Sequence, residues 1–492
     1  MSITTPKQTS HLKREILVRL IRAYLGNNFE EDVRLIPYQM RPKGSDIHFR
    51  CCIHKERAIL RDRVISGLGF DIEDAQDSQL LSDLAKTAAE RTQVEEHPLT
   101  ILQTACNECV PARIHVTDLC QGCVARPCVS ICRFGAIKVE NGKAHIDHDK
   151  CKNCGMCVQV CPFQAITKII VPCENACPVN AIAKDEDGIT RIDFGKCISC
   201  GKCVSACPFG AVHKKSHIID IIKNIKNGKK VIAMLAPSIM GQLPCTPQQL
   251  RKAILNLGFA DVVEVAFGAD VTTKNEAAEF VERMESGQEF MTTSCCAAYN
   301  ELVEKHIPEI KPYRSETKTP AYYTAEVVKK ENPDALTVFF SPCVAKRREA
   351  MQNPNIDFVL NYEELGAWFV ALNIQVGECE ESKYTKESSA QGRNYGVTGG
   401  VSSAVNALLA DDKKAKAHII NGLDKNQIRD LKKFAKNGKC EFGNLIEVMA
   451  CPGGCLGGSS TINYFKPAQK QIGEYISTSP DINDIAGKSN RR

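Results

Sequence analysis

Several things are missing from this chain, and each closes off a class of function. No apolar run approaches the ~18 to 20 residues needed to span a bilayer, so no membrane span is expected. The N-terminus lacks a compact apolar core followed by a small-residue cleavage site, so the expected location is cytoplasmic. No block of Lys and Arg is present, which argues against nucleic acid as a partner. The 11 histidines show no ligand spacing and read as structural or surface groups. Cysteine, by contrast, is abundant: 26 in 492 residues. Without a route to an oxidising compartment, clustered cysteines are metal ligands rather than disulfides. The formal charge of +5 leaves that metal out. Thiolate-bound metal carries negative charge and would make the loaded protein net acidic.

Sixteen of the cysteines lie between Cys106 and Cys207. There a phrase recurs: CRFGAI from Cys132, CPFQAI from Cys161, CPVNAI from Cys177 and CPFGAV from Cys207. The members of each pair are 29 and 30 residues apart, so the segment reads as two tandem ferredoxin-like units. Cys151, Cys154, Cys157 and Cys161-Pro162 form a full C-x2-C-x2-C-x3-C-P run, and Cys197, Cys200, Cys203 and Cys207-Pro208 form another. The fourth cysteine of such a run ligates the other cluster of the pair. The first unit can then hold two [4Fe-4S] clusters, one on Cys120, Cys123, Cys128 and Cys161, the other on Cys151, Cys154, Cys157 and Cys132. Between Cys123 and Cys128 the gap is four residues where two is usual, a small loop insertion that keeps the ligand. The second unit is degenerate. Cys197, Cys200, Cys203 and Cys177 complete a third cluster, which leaves Cys173 and Cys207 two partners short. Cys106 and Cys109 fill those places in one reading, giving four accessory clusters. In the other reading they are bystanders and the fourth cluster is absent.

The remaining organisation follows from periodicity. Residues 1–98 read as a helical accessory region: Leu12, Ile16, Leu17, Leu20, Ile21 and Tyr24 recur at helical spacing, Gly26 ends that helix, and residues 59–68 and 80–89 read as two more. Cys51 and Cys52 in this region read as small thiols without a ligand role. Residues 99–214 are the tandem iron-sulfur domain, with a short helical linker over 218–225 beyond it. Across 215–470, apolar runs of strand length (231–235, 262–267, 336–340 and 446–450) alternate with helical stretches, which argues an α/β domain with parallel sheets. Residues 471–492 read as a polar tail, loose from Ser477 onward.

Three stretches within 215–470 carry the chemistry. They are Thr293-Ser294-Cys295-Cys296, Ser341-Pro342-Cys343-Val344-Ala345-Lys346, and EVMACPGGCLGG from Glu447 to Gly458. The last sets Cys451 and Cys455 among glycines that let a backbone wrap closely around a cluster. In this order they resemble the three signature motifs of the [FeFe]-hydrogenase catalytic domain, over roughly residues 230–461. The resemblance implies a multidomain α+β protein: a helical N-terminal region, two ferredoxin-like 2[4Fe-4S] units, and a two-lobed α/β catalytic domain with its cluster in the cleft. It implies that Cys296, Cys343, Cys451 and Cys455 hold a [4Fe-4S] cluster, with Cys455 bridging to a diiron subsite that carries CO, cyanide and a bridging dithiolate, together the H-cluster. The activity implied is reversible interconversion of H2 with protons and electrons. Electrons would pass through the accessory clusters to a ferredoxin or similar small carrier, and maturation proteins would build the diiron site.

Further roles are implied residue by residue. Lys346 and Ser238 match contacts to cyanide, and Met449 matches a methionine packed against the diiron site. Cys295 matches the thiol that passes a proton to the amine of the dithiolate; a thiol, with an ordinary pKa of about 8.5, can give and regain a proton near neutrality. Glu276, Glu279 and Arg283 fall at i, i+3 and i+7 on one helix face and match the proton-relay helix, with Ser315 as the relay serine. Three positions depart from the commonest form: Ala297-Ala298-Tyr299 replaces Pro-x-Trp, Ser341 stands where a methionine is usual, and Gly457-Gly458-Ser459-Ser460 replaces a longer glycine run. They surround the diiron pocket, spare its ligands and resemble a divergent subgroup. Two other readings use the same motifs: an H2-sensing or regulatory homologue, and a non-catalytic iron-sulfur assembly protein without the diiron site. The absence of a sensory or kinase-like module weighs against the first, and the retention of Cys295, Lys346 and Met449 against the second.

Overall fold

The structure is a computed structural model and describes residues 8–45, 49–94, 97–106, 109–110 and 113–489. The run Val231–Leu235 is apolar at every position and buried at every position, as a strand covered on both faces must be. It pairs in parallel with Asp261–Glu264 on one side and Leu336–Phe340 on the other, and Phe358–Leu360 completes a four-stranded parallel sheet. A second parallel sheet has Leu445–Met449 at its centre, between Met291–Thr292 and Ala417–Asn421. These two sheets are the cores of two α/β lobes. The strand expected over 262–267 stops at Glu264, because the chain turns at once into the helix Ala266–Glu285.

Each ferredoxin phrase makes the same turn for the same reason. The fourth residue of the phrase sits at positive φ: Gly135 at 60°, Gln164 at 51°, Asn180 at 52° and Gly210 at 59°. That curl points the amide of the next residue, always alanine, back at the cysteine sulfur. Ala136, Ala165, Ala181 and Ala211 donate to Cys132, Cys161, Cys177 and Cys207 at 3.4, 3.4, 3.2 and 3.3 Å. The strand Leu99–Ile101 pairs antiparallel with Val212–Lys214 and so closes the second unit.

The helical region is not a separate accessory body. Its helices Gln8–Leu25, Phe29–Met40, Ile53–Gly67 and Leu81–Glu90 share one continuous core with the first lobe, in which Leu20 and Ile21 belong with Phe340 and Trp368. The second ferredoxin unit packs on the other lobe, where Ile198 is buried with Ala297, Tyr299 and Leu302. The stretch beyond Ser477 is not a loose tail. Phe465–Ser477 and Ile482–Ser489 are helices, Ile472 and Ile482 are buried, and Ala390 donates its amide to the Pro480 carbonyl at 2.8 Å. Among the described residues no helix is long and apolar enough to cross a membrane.

Candidate active site

The three motifs leave the carboxyl ends of parallel strands, the edge at which open α/β sheets bind ligands. Cys295 and Cys296 follow Met291–Thr292, Cys343 follows Leu336–Phe340, Cys451 follows Leu445–Met449, and Ser238 follows Val231–Leu235. Backbone bonds tie the loops together. Thr293 donates to Ile446 O at 3.0 Å, Ser460 to Pro342 O at 3.2 Å, and Cys455 to Gly396 O at 2.9 Å. Gly454 is required where it is: its φ is 73°, and a Cβ there would meet the Thr398 amide nitrogen at 2.8 Å.

This geometry brings Cys296, Cys343, Cys451 and Cys455 together. Burial pushes the Cys343 thiol up to about 11 and Cys455 to about 12, and Cys451 well above its ordinary value; the neighbouring sulfurs of the set push each of them further. Sulfurs gathered in this way suit a cationic cluster, whose charge offsets that of the thiolates. The four accessory sets are assembled in the same sense. Cys128 is pushed up by burial, then by Cys123 and Cys161; Cys157 by burial, then by Cys151, Cys154 and Cys132. Cys120 packs in the core of that unit, and the inserted loop leaves Val124 in solvent while Cys128 stays buried. Cys203 lies deep among Cys200, Cys197 and Cys177, with Cys173 beyond. Cys173 is raised to about 12 by burial, then by Cys207 and Cys106, and Cys109 faces Cys207 and Cys106. Among the described residues no cysteine is in a disulfide, and no three His, Cys, Asp or Glu side chains converge closely enough for a single metal ion. Sets of four thiols that face one another without meeting fit [4Fe-4S] clusters. Cys451 also feels Cys200 of the second unit, so those two thiol sets adjoin.

Cys295 is buried in a core with Met449, Ala269 and Tyr395, against which Cys296 of the four-thiol set also packs. The Cys295 thiol is pushed well up by burial, then by Glu276. Glu276 is completely buried; its Oε1 accepts the Ser294 amide at 3.4 Å, and its Oε2 accepts no hydrogen bond among the described residues. Burial pushes its carboxyl up to about 8, so it holds a proton at neutral pH. One helical turn on, Glu279 accepts the Ser315 hydroxyl at 2.7 Å, the Glu316 amide at 2.9 Å and the Thr317 hydroxyl at 2.8 Å. Arg283 pairs with it at 2.6 Å. Burial alone would raise Glu279, but these donors outweigh it and hold the carboxylate below its ordinary range.

Lys346 is partly buried and its ammonium is held by Glu349 at 2.6 Å. Burial disfavours that charge, and Glu349 more than restores it. Ser238 is buried and shares a 2.7 Å hydrogen bond with the Tyr362 hydroxyl. Cys51 and Cys52 lie outside every set, their sulfurs 3.8 Å apart. Glu447 was not legible as a site residue. It is a fully buried carboxylate in the central strand Leu445–Met449 and accepts the Gly399 and Ser402 amides at 2.7 and 2.9 Å and the Ser402 hydroxyl at 2.9 Å. It thereby caps the helix Gly400–Leu408, and its charge bears on both Cys295 and Glu276. The one signal in the sequence was an acidic residue inside an otherwise apolar strand.

Two lobes that gather four thiols at their strand ends, fed by cysteine-rich ferredoxin-like units, define a multi-cluster iron-sulfur protein. The family described as iron only hydrogenase large subunit, C-terminal domain, matches residues 229–459. A 4Fe-4S binding domain matches residues 144–167 and a 4Fe-4S dicluster domain residues 172–211. The chain is 31% identical over 384 residues to the periplasmic [Fe] hydrogenase large subunit of Nitratidesulfovibrio vulgaris, covering 65% of this chain and 87% of that protein. It is 31% identical over 369 residues to iron hydrogenase 1 of Clostridium pasteurianum and spans 64% of that relative's length. The solved [FeFe]-hydrogenase HydA1 from Chlamydomonas reinhardtii is 20% identical, with a TM-score of 0.45 over 55% of this chain and 92% of that one. The chain belongs to the iron-only hydrogenase family.

Proposed function

We propose that this protein interconverts H2 with protons and electrons at an H-cluster held by Cys296, Cys343, Cys451 and Cys455, and exchanges electrons with a small ferredoxin-type carrier through four accessory [4Fe-4S] clusters. The observation that carries this reading is the file of proton-holding groups that starts beside the four thiols and runs outward: Cys295, Glu276, Ser315, Glu279, Arg283. A thiol set used only for electron transfer or cluster assembly has no need of one.

When bound, the diiron subsite supplies the open metal position at which the H–H bond is made or broken. The chain's own part is to bring protons and electrons to that place and keep water out. Cys295 is the proton donor nearest the set. Glu276 holds the next proton on a buried carboxyl whose second oxygen accepts no hydrogen bond among the described residues. The Ser315 hydroxyl bridges to Glu279, an ionised carboxylate that draws the proton outward, and Arg283 holds Glu279 in place at the exit. Pushing one carboxyl up and its neighbour down gives the pair distinct acid and base roles. Lys346 and Ser238 flank the set and would hold the cyanide ligands, with Lys346 shared between that duty and Glu349. The adjoining Cys200 and Cys451 sets support electron transfer from the third accessory cluster. A reducing compartment, the cytoplasm, suits this many unpaired thiols.

Infrared spectroscopy of the protein after maturation tests the proposal. Bands of metal-bound CO and cyanide are expected. A fully matured preparation without them supports the assembly-protein reading instead.

A further inference from the structure

The helical region delivers two basic side chains to the interior, with no ion-pair partner for either among the described residues. Arg63, on the helix Ile53–Gly67, is 4% exposed. Its guanidinium donates to neutral acceptors, His213 Nε2 at 2.8 Å and Phe209 O at 3.1 Å, and its Nε has no hydrogen-bond partner among the described residues. Lys13, on the helix Gln8–Leu25, is partly covered along its stem, and its ammonium reaches inward to Val212 O at 3.3 Å. Neither takes part in an ion pair among the described residues. The nearby carboxylates have other partners: Glu363 takes Lys214 at 2.5 Å and Arg14 at 3.5 Å, and Asp62 takes the Thr104 hydroxyl at 2.7 Å. His213 adds no charge, since burial and then Lys13 and Arg63 keep it neutral; its Nδ1 lies 2.9 Å from Ser66 Oγ. Both cations line a cavity of about 30 Å³, room for about one water and too small for an organic anion.

Buried charge without a counter-charge is costly enough that native proteins avoid it. Sulfur is the leading source of negative charge for Arg63, and for Lys13 it comes after Glu363. Cys207 attracts both Arg63 and Lys13. It is also one of the set Cys106, Cys109, Cys173 and Cys207, the accessory set whose ligands come from three separate stretches of chain.

We infer that Lys13 and Arg63 are a built-in counter-charge for the cluster held by Cys106, Cys109, Cys173 and Cys207, and that they raise its reduction potential above what its ligands alone would give. The inference rests on the proposed fourth accessory cluster. Burial lowers the Lys13 ammonium to about 7, while Arg63 keeps its charge at neutral pH. One-electron reduction adds a negative charge to the cluster, and Arg63 behind Cys207, joined by Lys13 in its protonated form, favours the reduced state by Coulomb attraction in a medium that screens weakly. Net charge near a cluster is among the factors that set its potential. The helical region then has a task in electron transfer: it makes this site an electron-accepting station on the path, and its core shared with the first lobe fixes the distance at which the two cations act.

The test is a redox titration followed by electron paramagnetic resonance on the full-length, cluster-loaded protein. The Cys106→Ser/Cys109→Ser double variant identifies the signal of the fourth cluster by its loss. In Lys13→Met and Arg63→Met that signal alone is expected to move to lower potential, by a tenfold or larger change in its one-electron equilibrium (~59 mV). The charge-keeping variants Lys13→Arg and Arg63→Lys are expected to stay near the parent value. If the signal stays in place in Lys13→Met and Arg63→Met, or all clusters shift together, the counter-charge assignment is wrong. If the double cysteine variant loses neither iron nor a signal, the fourth cluster itself is absent. Should Arg63→Met fail to accumulate, Lys13→Met decides alone, read at pH 6 where the Lys13 ammonium is charged.

Discussion

Ser315 donates its hydroxyl to Glu279 at 2.7 Å, and the same hydroxyl bears on the buried carboxyl of Glu276. This contact joins a protonated acid to an ionised one. Its consequences can be measured separately in activity and in stability.

For activity, Glu276→Gln is expected to keep the fold and the cluster but slow turnover ~100 to 10,000-fold, the usual contribution of a positioned general acid. An amide fills the same space and cannot pass a proton on. Methyl-viologen-linked H2 production, with iron content measured in parallel, checks this. Arg283→Ala, at the solvent end, is expected to have a milder effect.

For stability, the sign follows from the direction in which burial moves the carboxyl. Glu276 is raised to about 8 in the folded protein from an ordinary 4.5. Its contribution is therefore fully present below the ordinary value, falls as pH rises, and is lost above about 8. Each tenfold gain in proton affinity on folding corresponds to roughly 1.4 kcal/mol. Thermal unfolding from pH 5 to 9 is expected to show the parent protein losing ground to Glu276→Gln at the alkaline end. Parallel curves would mean that Glu276 is not held protonated.

Cys295→Ala is expected to leave the infrared signature of the cluster intact while turnover falls by ~100-fold or more. Cys295 is not one of the four set thiols, so its loss removes a proton carrier and no ligand. The altered surroundings at Ala297 and Ser341, both buried, are where a substitute water path would enter. Full activity in Cys295→Ala with an assembled cluster would point to such a path.

Glu447→Ala is expected to destabilise the protein by ~3 kcal/mol, because it strands two buried amides and a hydroxyl at the start of Gly400–Leu408. Glu447→Gln, which keeps an acceptor, is expected to cost less. The change in unfolding temperature measures both.

Iron content tests the thiol bookkeeping. Four accessory clusters and the catalytic cubane give about 20 irons before maturation and about 22 after it, at four thiolates per cubane. A reproducible value near 16 before maturation would remove the fourth accessory cluster.

The parts of this molecule readable from sequence are those fixed by short-range spacing. Cysteine intervals around Cys161 and Cys207 name their own partners, because the ferredoxin turn is local and repeats. Glu276, Glu279 and Arg283 share a face because helical periodicity is local too. What escaped depends on contacts between distant segments. Phe29–Met40 is a helix despite Pro37 in its last turns, a residue that reads as a stop. The polar end of the chain folds because Ile482 finds a buried place and Asp481 binds Gln391 at 2.5 Å. Arg14 reaches Glu363 across the chain, and nothing in either residue's neighbourhood in sequence announces the pairing. Glu447 looked like a misplaced acid in a strand until the helix it caps was in view.

Isotope exchange with D2 tests the central claim most directly, since it requires the catalytic site and its proton supply but no electron partner. The matured protein, under D2 in ordinary water, is expected to release HD and then H2 into the gas phase, followed by mass spectrometry, and Glu276→Gln is expected to slow that release. A fully loaded protein that leaves D2 unexchanged would contradict the assignment of hydrogen chemistry to this site.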